Sequence, residues 1–150
     1  MHISMKCSVA VHCLIFMNEA GGDDRVTSTL LAESTGCNPA SIRALFAALK
    51  KAGIIDVQRG NLGAHLIQDP KDVTLLDIQN AVEPDGLATM IGVHQYKGQS
   101  CPVARNIHAT LAPSYEKIEH ATAEAMRSIT LADIIYDYHV QLNDKPTRHQ

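Results

Sequence analysis

The chain has 150 residues, 45% of them hydrophobic, and a formal net charge of -3. That size and apolar content suit one ordinary core and exclude a disordered polypeptide, while the acidic total excludes a wholesale nucleic-acid coat without excluding one local basic face. No apolar run reaches the ~18 residues that a membrane span needs, and the opening "MHISMKCSVAVHCLIFMNEA" has no basic leader with a small-residue cleavage site, so a cytoplasmic protein without a membrane partner is expected.

From Ile3 to Asn18 the apolar Val9, Ala10, Cys13, Leu14 and Met17 recur at helical spacing, predicting a first helix with one buried face. "EAGGDDR" breaks it with turn residues. In "VTSTLLAESTG", Thr27 is placed to cap a short helix bearing Leu30, Leu31 and Ser34, and Gly36 stops it. "NPASIRALFAALKKAG" then carries a full set of helix signals. Asn38 is the cap and Pro39 the first helical residue; Ile42, Leu45, Phe46 and Leu49 share a face, and two lysines precede Gly53. A two-turn helix, a glycine turn and a second helix with a polar start match a helix-turn-helix, whose second helix can enter a DNA major groove. Small Ala32 would let the two helices cross closely. The competing reading is a plain helical hairpin.

The next segment separates the two readings. Ile54 to Gln58 reads as a strand, Arg59 to Gly63 as a turn and Ala64 to Gln68 as the returning strand, which is the winged-helix order. Glycines would let the tip approach a phosphate backbone, and Arg59 would reach into the minor groove. Between residues 38 and 60 the basic Arg43, Lys50, Lys51 and Arg59 face Asp56 alone, so positive charge is concentrated here.

In "DPKDVTLLDIQNAVE", Thr74 caps a further amphipathic helix with Leu75, Ile78 and Val82, and residues 84–100 are irregular. From Pro102 the stripe Val103, Ile107, Leu111, Tyr115, Ile118, Ala121 and Ala125 predicts one long helix, kinked at Pro113, of a kind that more often pairs with a second copy than covers a private core. "ITLADIIYDY" repeats the Thr-capped pattern, and "NDKPTRHQ" is a polar tail expected to fray. The expected fold is mainly α with a small β-hairpin wing. It comprises a winged helix-turn-helix over 1–83, an irregular effector segment over 84–101, and a dimerisation helix with a C-terminal helix over 102–150.

Taken together, "LLAESTG", "LKKAGII", "RGNLGAHL", "VTLLDIQNAVE" and "ITLADI" resemble the Rrf-two family of bacterial winged-helix transcription regulators over essentially the whole chain. Ala64 and His65 depart from the Gly and Tyr usual in the family's wing. The resemblance implies a homodimer on double-stranded operator DNA, read by the helix over 38–52 and the wing. Family DNA-reading positions fall on Asn38, Ala40, Ser41 and Arg43, with Arg59 at the wing and Lys6 near a backbone phosphate. Arg43 offers a fork suited to guanine, whereas Ala40 can touch only an apolar group such as a thymine methyl, so the operator is expected to be this protein's own.

Cluster-binding members of that family carry three cysteines after the "AVE" helix, because thiolates hold the irons. This chain has only Cys101 there, so neither a cofactor nor an iron–sulfur cluster is expected; the flanking His94 and His108 leave a mixed-ligand site as the alternative. Cys7 and Cys13 do not share the i, i+4 face of a metal pair, and Cys13 continues the apolar stripe. Cys101 precedes Pro102, where a helix N-terminus and Arg105 favour the thiolate that oxidants and electrophiles attack. Cys37, in the helix-turn-helix turn, is the second redox candidate. The resulting expectation is a dimeric repressor responding to oxidants or electrophiles. The alternatives are a regulator sensing a non-covalent ligand, a winged-helix protein-interaction module, or a thiol hydrolase. The hydrolase has no nucleophile elbow, paired carboxylates or phosphate loop behind it, so no enzyme is expected.

Overall fold

The computed structural model describes residues 5–21, 25–58, 63–88, 90–95 and 100–144. Within them the elements run α1 (Lys6–Ala20), α2 (Ser28–Thr35), α3 (Pro39–Lys51), β1 (Ile55–Gln58), β2 (Gly63–Leu66), α4 (Leu75–Val82), α5 (Pro102–Arg127) and α6 (Leu131–Asn143). This is the mainly helical chain with a two-stranded wing that the patterning predicts.

Local chemistry sets most of the boundaries. The Thr27 hydroxyl accepts the Leu30 N–H at 3.2 Å to start α2, and Gly36, at φ +73°, ends it in the left-handed conformation. The Asn38 side-chain oxygen accepts the Ser41 N–H at 2.8 Å, and Pro39 follows at the first position of α3. Ala10, Cys13, Leu14 and Met17 of α1 meet Leu31 and Ala32 of α2 and Ile42, Leu45, Phe46 and Leu49 of α3 in one core. A fully buried Leu or Ile contributes roughly 1.5–3 kcal/mol there. Leu30, expected on the inward face, is 39% exposed. On this short helix the adjacent Leu31 and Ala32 are the buried pair.

The strands pair antiparallel, Ile55 opposite Leu66 and Gln58 opposite Gly63. The tip expected to carry Arg59 spans residues 59–62 and lies outside the described residues. Gly63 has φ +69°, and a Cβ on it would stand 2.7 Å from the Val26 carbonyl oxygen. The Ala64 N–H donates to that same oxygen at 2.8 Å. The chain entering α2 therefore lies against β2, and Gly63 allows this close packing.

The repeated "VTLLDI" and "ITLADI" segments meet in space. Thr74 with Asp77, and Thr130 with Asp133, form matching capping boxes at the starts of α4 and α6. Thr74 and Thr130 face each other across an antiparallel bridge, with the Leu75 N–H on the Ile129 oxygen at 2.8 Å and the Leu131 N–H on the Val73 oxygen at 2.7 Å. Leu131 and Ile135 of α6 enter the same core as α1 to α4. α5 extends about 39 Å at 1.5 Å per residue. It continues through Pro113, and none of its residues is buried.

Candidate nucleic-acid interface and effector surfaces

Burying Ile42, Leu45, Phe46 and Leu49 leaves Ala40, Ser41, Arg43, Ala44 and Ala47 on the exposed side of α3. That side is cationic at Arg43 and otherwise small, a shape that lets a helix backbone approach the floor of a groove. Arg43 has no ion pair among the described residues. Asn38, Ala40, Ser41 and Arg43 are thus gathered at one helix start, with Asn38 held by its capping bond.

Of the lysines in the basic stretch, Lys50 is the one held by Asp56. The Lys50 ammonium lies 2.9 Å from the Asp56 carboxylate and donates to the Val57 carbonyl at 3.3 Å, fastening the end of α3 to β1. That bond to Lys50, followed by the Val57 N–H, holds the Asp56 carboxyl below its usual range. Lys51 is exposed beside it. Lys6 lies on a separate element, α1, and pairs with Glu83 at 3.5 Å while staying 60% exposed.

The cysteines separate by environment. Cys13 is fully buried, and its thiol is pushed up to about 11, first by burial and then by the nearby Cys37. Burial, then Glu83, also raises the Cys7 thiol. Cys37 is half-buried in the turn between α2 and α3, where its N–H donates to the Thr35 hydroxyl at 3.3 Å. Cys101 is exposed and occupies the N-cap of α5 without a side-chain capping bond.

Two hollows were not legible in the sequence. One, of about 870 Å³, lies among α1, α2 and α6, with Val11, Phe16, Leu30 and Tyr138 in its lining. At its edge the Glu19 carboxylate accepts from His139 at 2.9 Å, which lowers the Glu19 carboxyl, and His12 bonds Ser34 at 2.8 Å. The other, of about 440 Å³, lies between residues 87–88 and 90–93 on one side and α5 on the other. No helix among the described residues is long and apolar enough to cross a membrane.

The family model of the Rrf2 iron-dependent transcriptional regulators matches residues 3–137. The Bacillus subtilis (strain 168) helix-turn-helix-type transcriptional regulator YwnA is 30% identical over 133 residues, covering 89% of this chain and 96% of its own. The crystal structure of a transcriptional regulator from Lactobacillus plantarum superposes with a TM-score of 0.72 at 27% identity, covering 95% of this chain and 100% of its own. T. potens IscR shares the fold at TM-score 0.68 and 23% identity, over 98% of this chain and 93% of its own. The iron in the family's description does not fit the donors present here. A cluster takes several thiolates at one place, whereas these four cysteines lie in a helix face, the core, a turn and a distant cap. Among the described residues no group of three or more His, Cys, Asp or Glu side chains is placed to hold a metal ion.

Proposed function

The chain belongs to the Rrf2 family of DNA-binding transcription regulators, and from that premise we propose that it acts in the cytoplasm as a homodimeric repressor whose release from DNA is triggered at a cysteine. The observation that carries the DNA half is the start of α3, where the capping Asn38 and the helical Ala40, Ser41 and Arg43 are all exposed while Ile42, Leu45, Phe46 and Leu49 are buried. Arg59 on the wing and Lys6 on α1 are proposed as flanking contacts, with the Lys6 contact made in competition with Glu83. The unburied α5, with Val103 69% and Ile118 41% exposed, supports pairing with a second copy.

Cys101 is the proposed trigger, because its sulfur is open to solvent at the head of the helix that would pair the two copies. An enone or quinone would form one carbon–sulfur bond there, with the thiol proton ending on the reduced electrophile. The added bulk would tilt α5 and change the separation of the two α3 helices. Cys37, half-covered beside the core, is the second candidate.

One experiment tests both halves. Genomic fragments selected by the protein supply the duplex, and fluorescence anisotropy follows binding of wild type, Arg43→Ala, Cys101→Ser and Cys37→Ser across salt concentrations, with and without a quinone. Arg43→Ala should weaken specific binding by roughly 1–3 kcal/mol. Affinity indifferent to salt and to that substitution refutes the reading helix. Cys101→Ser should stay on DNA after quinone treatment; release as in wild type moves the trigger away from Cys101, and to Cys37 if Cys37→Ser alone resists.

A further inference from the structure

The hollow of about 440 Å³ between residues 87–88 and 90–93 on one side and α5 on the other falls within the ~300–1,000 Å³ range of small-molecule sites. Half-buried Leu87, Ile91 and Val93 form one wall, and Ala112 and Tyr115 of α5 the other. Its charge is one-sided: Glu116 and Glu119 line it, and no lysine or arginine does so among the described residues. Among the described residues neither glutamate has a hydrogen bond or ion pair, although Glu119 is already half-covered. An ammonium placed against the apolar wall would stand within reach of both carboxylates, a charge-assisted pairing that a neutral ligand cannot make.

The hollow is also set apart from the face expected to pair. At about 100° per residue, His108, Ala112 and Glu119 lie roughly a third of a turn around α5 from Val103, Ile107, Leu111 and Ile118, with the stripe's Tyr115 at the boundary between the two faces. A second copy packed on that stripe would leave this flank available.

We propose that this hollow binds a small amphipathic organic cation, an amine with an aromatic or aliphatic body. The apolar part would pack between Leu87, Ile91 and Tyr115, and the ammonium would stand between the carboxylates of Glu116 and Glu119. The Tyr115 ring can add cation–π attraction to their field. The inference deepens the regulatory reading by giving the effector segment a non-covalent ligand class, but binding at the hollow does not depend on DNA being bound.

Isothermal titration of the full chain with phenethylamine, phenethyl alcohol and phenylacetate at millimolar concentration tests the site directly. The amine should bind, with the neutral alcohol roughly tenfold weaker and the anion undetected. Glu119→Gln should weaken the amine by roughly tenfold, and the Glu116→Gln/Glu119→Gln pair should remove its advantage over the alcohol. Ala112→Phe, which fills the hollow from an exposed helical position, should abolish binding of both. No heat with the amine, equal affinity for amine and alcohol, or amine binding that survives the double substitution or Ala112→Phe overturns the proposal. Operator affinity is measured on the same preparations. Lost DNA binding with intact amine binding then refutes the regulator reading alone, and the reverse refutes this site alone.

Discussion

Replacing Gly63 by Ala sets the fold's closest backbone approach against one methyl group. The new Cβ would lie 2.7, 2.8 and 2.9 Å from the Val26 oxygen, nitrogen and carbonyl carbon, all main-chain atoms that cannot rotate away. A left-handed φ of +69° on a residue with a Cβ costs about 1–2 kcal/mol, and relieving the overlap costs a further ~1–3 kcal/mol. If the Val26 segment retreats, the bond from the Ala64 N–H at 2.8 Å is lost as well, at about 1 kcal/mol. A total near 4 kcal/mol is a large share of the ~5–15 kcal/mol by which domains are stable, and at ~2–4 °C per kcal/mol the midpoint should fall by about 8–16 °C. Thermal unfolding at fixed protein concentration measures it. Gly92→Ala is the control, since nothing lies within 4 Å of that position and its φ is outside the left-handed region. A Gly63→Ala protein melting together with Gly92→Ala refutes the account of this contact.

Placing Glu at Val103 and Ile118, which are 69% and 41% exposed on α5, should leave each chain folded and convert the dimer to monomer in sedimentation velocity; an unchanged dimer places the interface elsewhere. Because the Cys13 thiol is raised from 9.0 to about 11 in the folded chain, its contribution to stability is complete below the unfolded value and is lost as pH rises through that window. Denaturant titration under reducing conditions should therefore show a decline of roughly 2–3 kcal/mol between those values, smaller in Cys13→Ala, and an identical decline in both proteins refutes the assignment.

What could be read from the sequence is what short-range chemistry decides. Thr27, Asn38, Thr74 and Thr130 each accept from an N–H three residues ahead, so the caps are written into adjacent residues. Gly36 likewise announces its turn. Contacts between distant segments were not legible: Gly63 looks like a residue of a flexible tip until Val26 is found against it. Counting charges gave the local balance with Asp56 already subtracted, but not which lysine Asp56 would hold, because the Lys50–Asp56 pair forms across a turn. The two Thr-capped segments were recognisable as a repeat, yet their hydrogen-bonded meeting was not. The hollow holding Glu116 and Glu119 also escaped notice, since no periodic pattern marks residues 87–93.

That meeting bears on how the two halves of the chain act on each other. α4 packs against α3 and α1, and also against α5. Its first residues are bonded through the main chain to the start of α6, directly beyond the end of α5. Pulling the start of α4 away from that of α6 would break three backbone bonds, Leu75 to Ile129, Leu131 to Val73 and Ala132 to Pro70, whereas moving the joint as one body breaks none. A change at the far end of α5 is therefore passed on most cheaply as a rigid tilt. Over a rod of about 39 Å, a tilt of about 5° displaces one end by roughly 3 Å relative to the other. A shift of that size is comparable with the spacing between successive base pairs, about 3.4 Å, and so is enough to take two α3 helices out of register with a dyad operator. The wing and its packing on Val26 can stay intact throughout. A thiol adduct at Cys101 and an amine beside Glu119 would both act near α5, and in this geometry both would reach the DNA by altering the distance between reading helices rather than by unfolding either one.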